Sequence, residues 1–144
     1  MVRLREITRD NYKNCCLMKV KKEQESFVAT NSFSLAQSKY EPECIPLAIY
    51  NDEDMVGFLM YCIDVNDGNY WIYRLMIDEN HQRQGYAYEA MTMLLRVIAA
   101  DKSHDKVYID CRHDNIAAQE LYKKLGFKQT DEFDEQEVYM RLDY

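Results

Sequence analysis

The hydrophobic periodicity of the chain changes at Gly85, and this change limits the fold more than any other feature. Four strand candidates bounded by turn residues precede it, at 2–7, 45–50, 55–64 and 70–78. After it, apolar residues recur on one face of a helix from about Tyr86 to Ala100, and a strand that alternates Val107, Ile109 and Cys111 follows. A strand–helix–strand passage of this kind predicts a crossover between two parallel strands.

The remaining segments predict three more helices and one or two more strands. Thr8 is placed to cap a first helix, and the pattern predicts that this helix runs as far as Val20 and ends in a basic run at residues 19–22. A second helix begins near Asn31 and stops before Pro42. A third helix covers 115–125 and a strand covers 138–142, with an extra strand after Gly126 left open.

These elements predict an α/β (α+β) domain that spans residues 1–144. Its central sheet is expected to be mixed and mostly antiparallel, with six to seven strands and with helices on both faces. With 144 residues, the chain is long enough for one domain with a core of its own. Gly57 interrupts an apolar strand, which indicates a bulge or a close backbone approach.

The charge of the chain bears on its partners. The formal net charge is −7, with 25 acidic against 18 basic residues, and this excludes a phosphate backbone as the main partner. We therefore expect no nucleic-acid partner. The negative charge favours a cationic substrate, although acidic proteins also use net charge for solubility.

The cysteines and the apolar runs bear on cellular location. The chain has five cysteines, an odd number, without metal-ligand spacing, which indicates free thiols in a reducing compartment and no metal site. The charged start of the chain lacks the apolar stretch of an export signal, and no apolar run is long enough to span a membrane. We expect a cytoplasmic protein without a membrane partner.

The segment from Leu75 to Ala87 carries the strongest chemical signal. A strand ends near Asp78, a short polar loop follows, and an amphipathic helix begins at about Gly85. The first amides of a helix lack intrahelical partners and favour anions, and a glycine lets the backbone approach such an anion closely. The loop is neither a P-loop nor a dinucleotide fingerprint, because the required Lys-Ser/Thr and the first two glycines are missing.

This segment resembles the phosphate loop of the GCN5-related N-acetyltransferases (GNAT), in which Gln/Arg-x-x-Gly-x-Gly/Ala holds the pyrophosphate of acetyl-CoA. Gln82, Gly85 and Ala87 match that pattern, while Arg83 stands where many members carry a second glycine. A guanidinium at that position could also meet a phosphate.

A second pattern downstream is similar to the other signature of the family. It runs Asn115-x-x-Ala118-x-x-Leu121-Tyr122-x-Lys124-Leu125-Gly126-Phe127. Taken alone, Asn115 is typical of a helix N-cap, and Tyr122 is typical of a core tyrosine. Softer matches, such as 47–50, 56–58 and 71–78, resemble the polyamine-acetylating members.

The resemblance implies acetyl-CoA as co-substrate and a small-molecule amine, such as spermine or spermidine, as acceptor. It implies that the strand before the loop binds the acetyl carbonyl and the pantetheine arm, and that Tyr122 faces the CoA sulfur. Family members often form homodimers, which leaves a homodimer open here. The implied cofactor-binding residues are Leu75, Met76, Ile77, Gln82, Arg83, Gln84, Gly85, Tyr86, Ala87, Asn115 and Tyr122.

The reaction needs an oxyanion donor, an acid and a base. The amide of Met76 or Ile77 is the expected oxyanion donor, and Tyr122 is expected to hydrogen-bond the leaving sulfur. The sequence cannot choose a base among Glu41, Glu43 and Asp64. The substrate candidates on charge and aromatic character are Glu41, Asp64, Trp71 and Tyr73, with Tyr40 as a further aromatic. The alternatives are an acetyltransferase for another amine, such as a peptide N-terminus, an amino acid or an aminoglycoside, and a non-enzymatic acyl-CoA-binding module.

Overall fold

Seven strands form a single sheet in the computed structural model, which describes residues 1–144. The strands are β1 (Val2–Glu6), β2 (Ile45–Asn51), β3 (Asp54–Ile63), β4 (Tyr70–Ile77), β5 (Lys106–Arg112), β6 (Lys128–Phe133) and β7 (Glu137–Asp143). Their order across the sheet is β1-β2-β3-β4-β5-β7-β6. All neighbours are antiparallel except β4 and β5, which are parallel. The predicted mixed, mostly antiparallel sheet is confirmed, and β6 is the extra strand after Gly126.

Four α-helices connect the strands: α1 (Tyr12–Leu17), α2 (Asn31–Tyr40), α3 (Tyr86–Ala99) and α4 (Ile116–Lys124). A short 3₁₀ turn (Lys22–Gln24) lies between α1 and α2. The longest helix, α3, has 14 residues, and none of the helices combines the length and apolar character that a membrane span requires.

The helices cover both faces of the sheet, as the sequence predicts. Residues of α3 and α4, such as Leu94 and Tyr122, share a large apolar cluster with Leu59 and Ile109 of the sheet. On the other face, a smaller cluster contains Cys15, Cys44, Phe58, Met60, Cys62 and Met76, against which Leu35 of α2 packs. Adjacent residues of β3 enter opposite clusters because side chains alternate along a strand. The sheet is therefore the middle layer of the domain.

The parallel contact between β4 and β5 is short. Only three residue pairs form, from Tyr70 opposite Val107 to Ile72 opposite Ile109. Beyond Ile72, β4 continues to Ile77 paired with β3 alone, and β5 continues to Arg112 paired with β7 alone. The two strands therefore diverge, and one edge of β4 is left open over five residues.

Gly57 explains how β4 is held in this position. The register of β2 and β3 shifts at Ile49 and Tyr50, beside Gly57, so the predicted bulge is present. A Cβ atom at Gly57 would lie 2.5 Å from the carbonyl oxygen of Met76 and 2.8 Å from Cδ1 of Ile77. Only glycine allows β4 to approach β3 this closely.

The first helix differs from the prediction. Its N-cap position is Asn11 rather than Thr8, and it ends at Leu17 instead of reaching Val20. The backbone of Lys19 instead pairs with the segment after β4: its amide donates to Oδ1 of Asp78 (3.1 Å), and its carbonyl accepts from the amide of Glu79 (2.8 Å). Tertiary pairing therefore overrides the helical period, and the basic run at 19–22 is not a helix end.

We predict that Gly57→Ala lowers the free energy of unfolding by about 2 kcal/mol, because the new methyl group forces β4 away from β3. Chemical denaturation measures this loss. The same variant should bind CoA more weakly, because the displaced residues are those at the open edge of β4. Gly68→Ala is the control, because no atom lies within 4 Å of the added Cβ. Alanine is strained at the φ of +72° found there, so this variant also loses stability, but β4 does not move. Equal CoA affinity in wild type and Gly57→Ala would contradict the explanation.

Candidate active site

The divergence of β4 and β5 opens a cleft of about 1270 Å³ through the sheet. Its walls come from both faces, because α3, α4 and the loop before α3 contribute on one side, and α2 and the turn after β3 contribute on the other. All the residues that the sequence proposed for cofactor binding, and four of the five proposed for substrate, lie in this wall. They are Glu41, Asp64, Trp71, Tyr73, Leu75, Met76, Ile77, Gln82, Arg83, Gln84, Gly85, Tyr86, Ala87, Asn115 and Tyr122.

The amides at the open edge of β4 can be identified from its pairing with β3. The amide of Asp78 donates to the carbonyl of Val56 at 2.8 Å, so Asp78 faces β3. Because donors alternate along an antiparallel strand, the amide of Met76 also faces β3, and those of Leu75 and Ile77 face the cleft. Of the two expected oxyanion donors, this geometry favours Ile77.

The loop between β4 and α3 is fixed by side chains that act on its backbone. Asp78 is nearly buried, and its carboxylate accepts from the amides of Lys19 (3.1 Å) and Asn80 (3.2 Å). Gln82 donates from Nε2 to the carbonyl of Ile77 (3.0 Å) and to Oε1 of Gln24 (2.8 Å). The Gln82 side chain therefore connects the loop to β4 and to the 3₁₀ turn. The loop presents its backbone to the cleft.

Two residues of this loop have left-handed backbone conformations. Arg83 has φ +63° and Gly85 has φ +83°. For Arg83 such a conformation costs about 1 kcal/mol, so the surrounding bonds must impose it. Gly85 is the N-cap position of α3 and offers no side chain, so the first amides of α3 have no capping partner. Unpaired amides at a helix start beside a cation fit a diphosphate.

The α4 wall supplies Asn115 and Tyr122. Oδ1 of Asn115 accepts from the amide of Ala118 at 3.2 Å, so Asn115 is the N-cap of α4 and keeps its Nδ2 donor for another partner. Tyr122 is only 6% exposed, and its hydroxyl makes no hydrogen bond to another residue. Since no buried side-chain nitrogen or oxygen lacks a partner, that hydroxyl reaches the cleft. Burial, together with nearby Cys111 and Asp110, raises the pKa of Tyr122, which remains a proton donor.

On the α2 side of the cleft, Asp64 and Tyr73 form one unit. The hydroxyl of Tyr73 donates to Oδ2 of Asp64 at 2.6 Å, and this bond is the main reason that the pKa of Asp64 is lowered. Asp64 is therefore ionised and a weak base. Trp71 stacks on Tyr108, with 5.0 Å between the ring centroids, and donates from Nε1 to Asp67 at 2.8 Å. Trp71 thus both packs on the sheet and lines the cleft.

Two sequence candidates lie outside the cleft wall. Tyr40 is 83% exposed at the end of α2, and Glu43 does not line the cleft. One ligand atom each of Glu41, Glu43 and Cys44 lie within 4.8 Å of one another. Burial, followed by the two carboxylates, raises the pKa of Cys44, which keeps the thiol protonated and a poor metal ligand.

Among the cleft residues that the sequence did not propose, three matter most for the chemistry: Arg74, Asp110 and Glu137. Arg74 is held against α2 by bonds from its guanidinium to Oγ of Ser34 (3.1 Å) and Oε1 of Gln37 (2.9 Å). Asp110 lies between two core residues of β5, and Glu137 begins β7. The sequence did contain a signal for Asp110. Apolar residues alternate along β5, and this alternation places the Asp110 carboxylate on the face of the sheet opposite Ile109 and Cys111.

The cysteine in the cleft wall is not suited to nucleophilic catalysis. Burial is the first cause that raises the pKa of Cys111 to about 11, and Glu137 and Asp110 add to it. At neutral pH only about one thiol in ten thousand would be ionised, and the thiolate is the nucleophile. The cleft therefore suits direct reaction between two bound molecules.

Comparison with known proteins decides the family. The model of the Acetyltransferase (GNAT) family matches residues 2–127. The chain belongs to the GNAT family. It is an acetyl-CoA-dependent N-acetyltransferase, as the two sequence signatures predict.

Relatives of this GNAT protein agree in length and architecture. Spermine/spermidine N(1)-acetyltransferase of Bacillus subtilis (strain 168) is 27% identical over 139 residues, which cover 92% of this chain and 91% of that protein. Spermidine N-acetyltransferase from Vibrio cholerae, solved in complex with CoA and spermine, superposes with a TM-score of 0.77 at 14% identity and covers 99% of this chain and 95% of that chain. PaiA N-acetyltransferase from Thermoplasma acidophilum, solved with coenzyme A, gives a TM-score of 0.71 at 15% identity and covers 100% of this chain and 99% of that chain.

We predict that Gly85→Glu weakens CoA binding by at least about 100-fold, because a carboxylate then stands among the amides that face the diphosphate. Gly68→Glu is a matched control. Both glycines have positive φ, and neither added Cβ meets an atom within 4 Å, so the cost in backbone strain is similar. Calorimetry with CoA should show the loss for Gly85→Glu and an unchanged dissociation constant for Gly68→Glu. A similar constant for both variants would remove the loop from the site.

We predict that Tyr122→Phe lowers kcat at least about tenfold and leaves the dissociation constant of acetyl-CoA within about twofold. The phenyl ring keeps the packing of Tyr122, while the hydrogen bond to the leaving sulfur is lost. Free-thiol release under saturating substrate measures kcat, and calorimetry measures binding. An unchanged kcat would exclude the hydroxyl from the reaction.

Proposed function

We propose that this protein acetylates a primary amine of a polyamine such as spermine or spermidine, by direct attack on acetyl-CoA in a ternary complex. The observation that carries the proposal is the charge of the cleft on the α2 side of the sheet. Four carboxylates line that side, against the single guanidinium of Arg74: Glu41, Asp64, Asp110 and Glu137.

This charge suits an acceptor with more than one ammonium group. Opposite charges within about 4 Å gain about 4 kcal/mol at the effective dielectric constant of a protein surface, before the cost of desolvation. A monoamine brings one positive charge and can compensate only one of these negative charges. Trp71 and Tyr73 add aromatic faces beside these carboxylates, and such faces attract cations. The Bacillus subtilis relative, which covers nearly the same length, is a spermine/spermidine acetyltransferase, and this supports the same class of acceptor.

The opposite side of the cleft suits acetyl-CoA. Arg83 and Lys124 bring positive charge to the loop and to α4, where phosphates would lie, and Glu120 of α4 is paired with Lys123 at 3.9 Å. We assign the diphosphate to the amides of residues 82–87, the pantetheine arm to the open edge of β4 (Leu75, Met76 and Ile77), and a supporting hydrogen bond to Asn115. Acetyl-CoA supplies an activated acyl group as a thioester.

The residues around that acyl group divide the chemical work. The amide of Ile77 points into the cleft and can stabilise negative charge on the acyl oxygen. The protonated hydroxyl of Tyr122 can hydrogen-bond the departing sulfur, which needs no complete proton transfer. The fork between β4 and β5 holds the amine and the acyl carbon together, and such positioning lowers the barrier by several kcal/mol. Since all seven strands share one sheet, we treat residues 1–144 as one catalytic domain.

A panel of amines tests the acceptor class. The panel contains spermine, spermidine, butylamine, an amino acid, an aminoglycoside and a peptide with a free N-terminus, each assayed by CoA thiol release. We expect kcat/KM to be greatest for the two polyamines. A greater value for the peptide or the aminoglycoside would reassign the acceptor, and binding of acetyl-CoA without turnover of any amine would support a non-enzymatic role.

We predict that Asp64→Asn raises KM for spermidine about fivefold and changes KM for butylamine less than about twofold. The substitution removes a charge and keeps one oxygen for the amide of Asn66, while the new NH2 group can donate to the hydroxyl of Tyr73, so the local structure should persist. Asp131→Asn is the control, because Asp131 is exposed on β6 and does not line the cleft. Raising the salt concentration should also raise KM for spermidine, since screening weakens these attractions. Equal effects of Asp64→Asn on both amines would contradict the charge argument.

A further inference from the structure

A protonated amine must lose a proton before it can attack, and the sequence candidates for this task are poorly placed. An alkylamine has a pKa near 10, so the free amine is a minor species at neutral pH. Asp64 is held in its ionised form by Tyr73, and its lowered pKa makes it a weak acceptor. Glu43 does not line the cleft, and Glu41 is exposed at the end of α2. The proton acceptor must therefore be sought elsewhere.

Asp110 lies at the point where β4 and β5 separate. The last pair between these strands is Ile72 with Ile109, and Asp110 is the next residue along β5. Its neighbours Ile109 and Cys111 are buried in the core on the side of α3 and α4, so its side chain belongs to the opposite face, where the amine is expected. The carboxylate makes neither an ion pair nor a hydrogen bond with another side chain, although it lines the cleft. It is therefore free to accept a proton.

The second observation is Tyr122, a residue only 6% exposed whose hydroxyl reaches the same cleft without a partner in the protein. Asp110 and Tyr122 both line this cleft. One is a carboxylate on β5 without a side-chain partner, and the other is a hydroxyl donor on α4 without a partner. A reacting amine and a departing thiolate need these two functions at adjacent points.

The groups that face Asp110 come from several elements. Arg74 of β4 is its positive neighbour, Asp134 lies between β6 and β7, and Glu137 and Tyr139 belong to β7. Burial is the largest cause that raises the pKa of Asp110, Asp134 adds to it, and Arg74 opposes it. A carboxylate with a raised pKa is a better base than an ordinary aspartate, because its proton affinity is closer to that of the amine.

We propose that the Asp110 carboxylate is the proton acceptor for the amine, and that Glu137 contributes charge rather than proton transfer. This inference rests on the proposed function of the cleft. The ammonium nitrogen gives one proton to Asp110, its lone pair forms the C–N bond, and the C–S bond breaks. The second N–H proton passes to the departing CoA sulfur beside Tyr122. Asp110 then releases its proton to solvent, so that amide, CoA thiol and one proton are the products.

Glu137 is the main competitor for this role. It lies on β7, one strand further from β4, opposite Arg112 in the register of β5 and β7. Its pKa is also raised, by burial first and then by Asp110 and Asp134. Burial is the first cause at both carboxylates, so position separates them: Asp110 directly follows the last pair between β4 and β5, whereas Glu137 lies one strand further away.

The test is the pH dependence of kcat/KM for wild type, Asp110→Asn, Asp110→Glu, Glu137→Gln and the control Asp131→Asn. The assays use the amine of the panel that gives the greatest kcat/KM. If that amine is not a polyamine, the same comparison of variants is made with it. We expect Asp110→Asn to lower kcat at least about 100-fold near neutral pH, with the acetyl-CoA dissociation constant unchanged. Its kcat/KM should rise about tenfold per pH unit, because only the free amine now reacts. Asp110→Glu should recover part of the rate.

Two results would overturn the proposal. One is a kcat for Asp110→Asn within about threefold of wild type. The other is a larger loss in Glu137→Gln than in Asp110→Asn, which would move the role to Glu137. The Asp131→Asn profile should follow wild type. A failure of the polyamine proposal gives a different result. Another amine then has the greatest kcat/KM, but Asp110→Asn still lowers kcat for that amine.

Stability gives a readout that needs no substrate. The pKa of Asp110 is raised in the folded protein, so folding favours its protonated form, and that contribution is lost as pH rises through the folded pKa. Asp110→Asn should therefore raise Tm at pH 8 and lose this gain at pH 4. If Asp110→Asn raises Tm and lowers kcat, the carboxylate destabilises the fold and contributes to catalysis. A lower Tm at pH 8 would show that the carboxylate serves the fold and would overturn the proposal.

Discussion

The structure depends on the short parallel contact between β4 and β5, because every feature of the site follows from where that contact stops. Three residue pairs join the strands, and beyond Ile72 each strand keeps only its antiparallel partner. Backbone amides are rarely left unpaired in a protein interior, so an open strand edge beside a cleft indicates a ligand that supplies the missing acceptors. The close approach of β4 to β3 at Gly57 keeps that edge in place from the other side.

The cleft joins two environments of opposite charge because it passes through the sheet. On the α3 and α4 side, helix-start amides, Arg83 and Lys124 suit phosphates. On the α2 side, carboxylates and aromatic rings suit an amine with several charges. In the proposed function, acetyl-CoA and the amine meet at the fork between β4 and β5. Its surroundings are apolar enough to raise the pKa of Cys111 and Tyr122, and the open hydroxyl of Tyr122 faces the cleft there.

Much of the fold could be predicted from the sequence, and the exceptions have physical causes. The strands, α3 and α4 follow local periodicity and turn residues, which act over a few residues. The end of α1 did not follow its period, because Lys19 pairs with Asp78 and Glu79 some sixty residues away. The phosphate loop was recognisable because its chemistry is contiguous. Asp110, Arg74 and Glu137 were missed because they lie on different strands, and only their assembly places them in one cleft.

The sequence alone therefore determined the family, the co-substrate and the contiguous loop at residues 82–87, since the order of residues in each signature carries that information. The tertiary structure decided which amide of β4 faces the cleft, which carboxylate is engaged by a tyrosine hydroxyl, and which one lies where β4 and β5 separate. These properties arise from strand alternation, burial and charges that are distant along the chain. Composition could not separate the roles of Asp64 and Asp110, because both are aspartates. The structure separates them: Tyr73 binds Asp64 after the end of β3, and Asp110 is partly buried within β5.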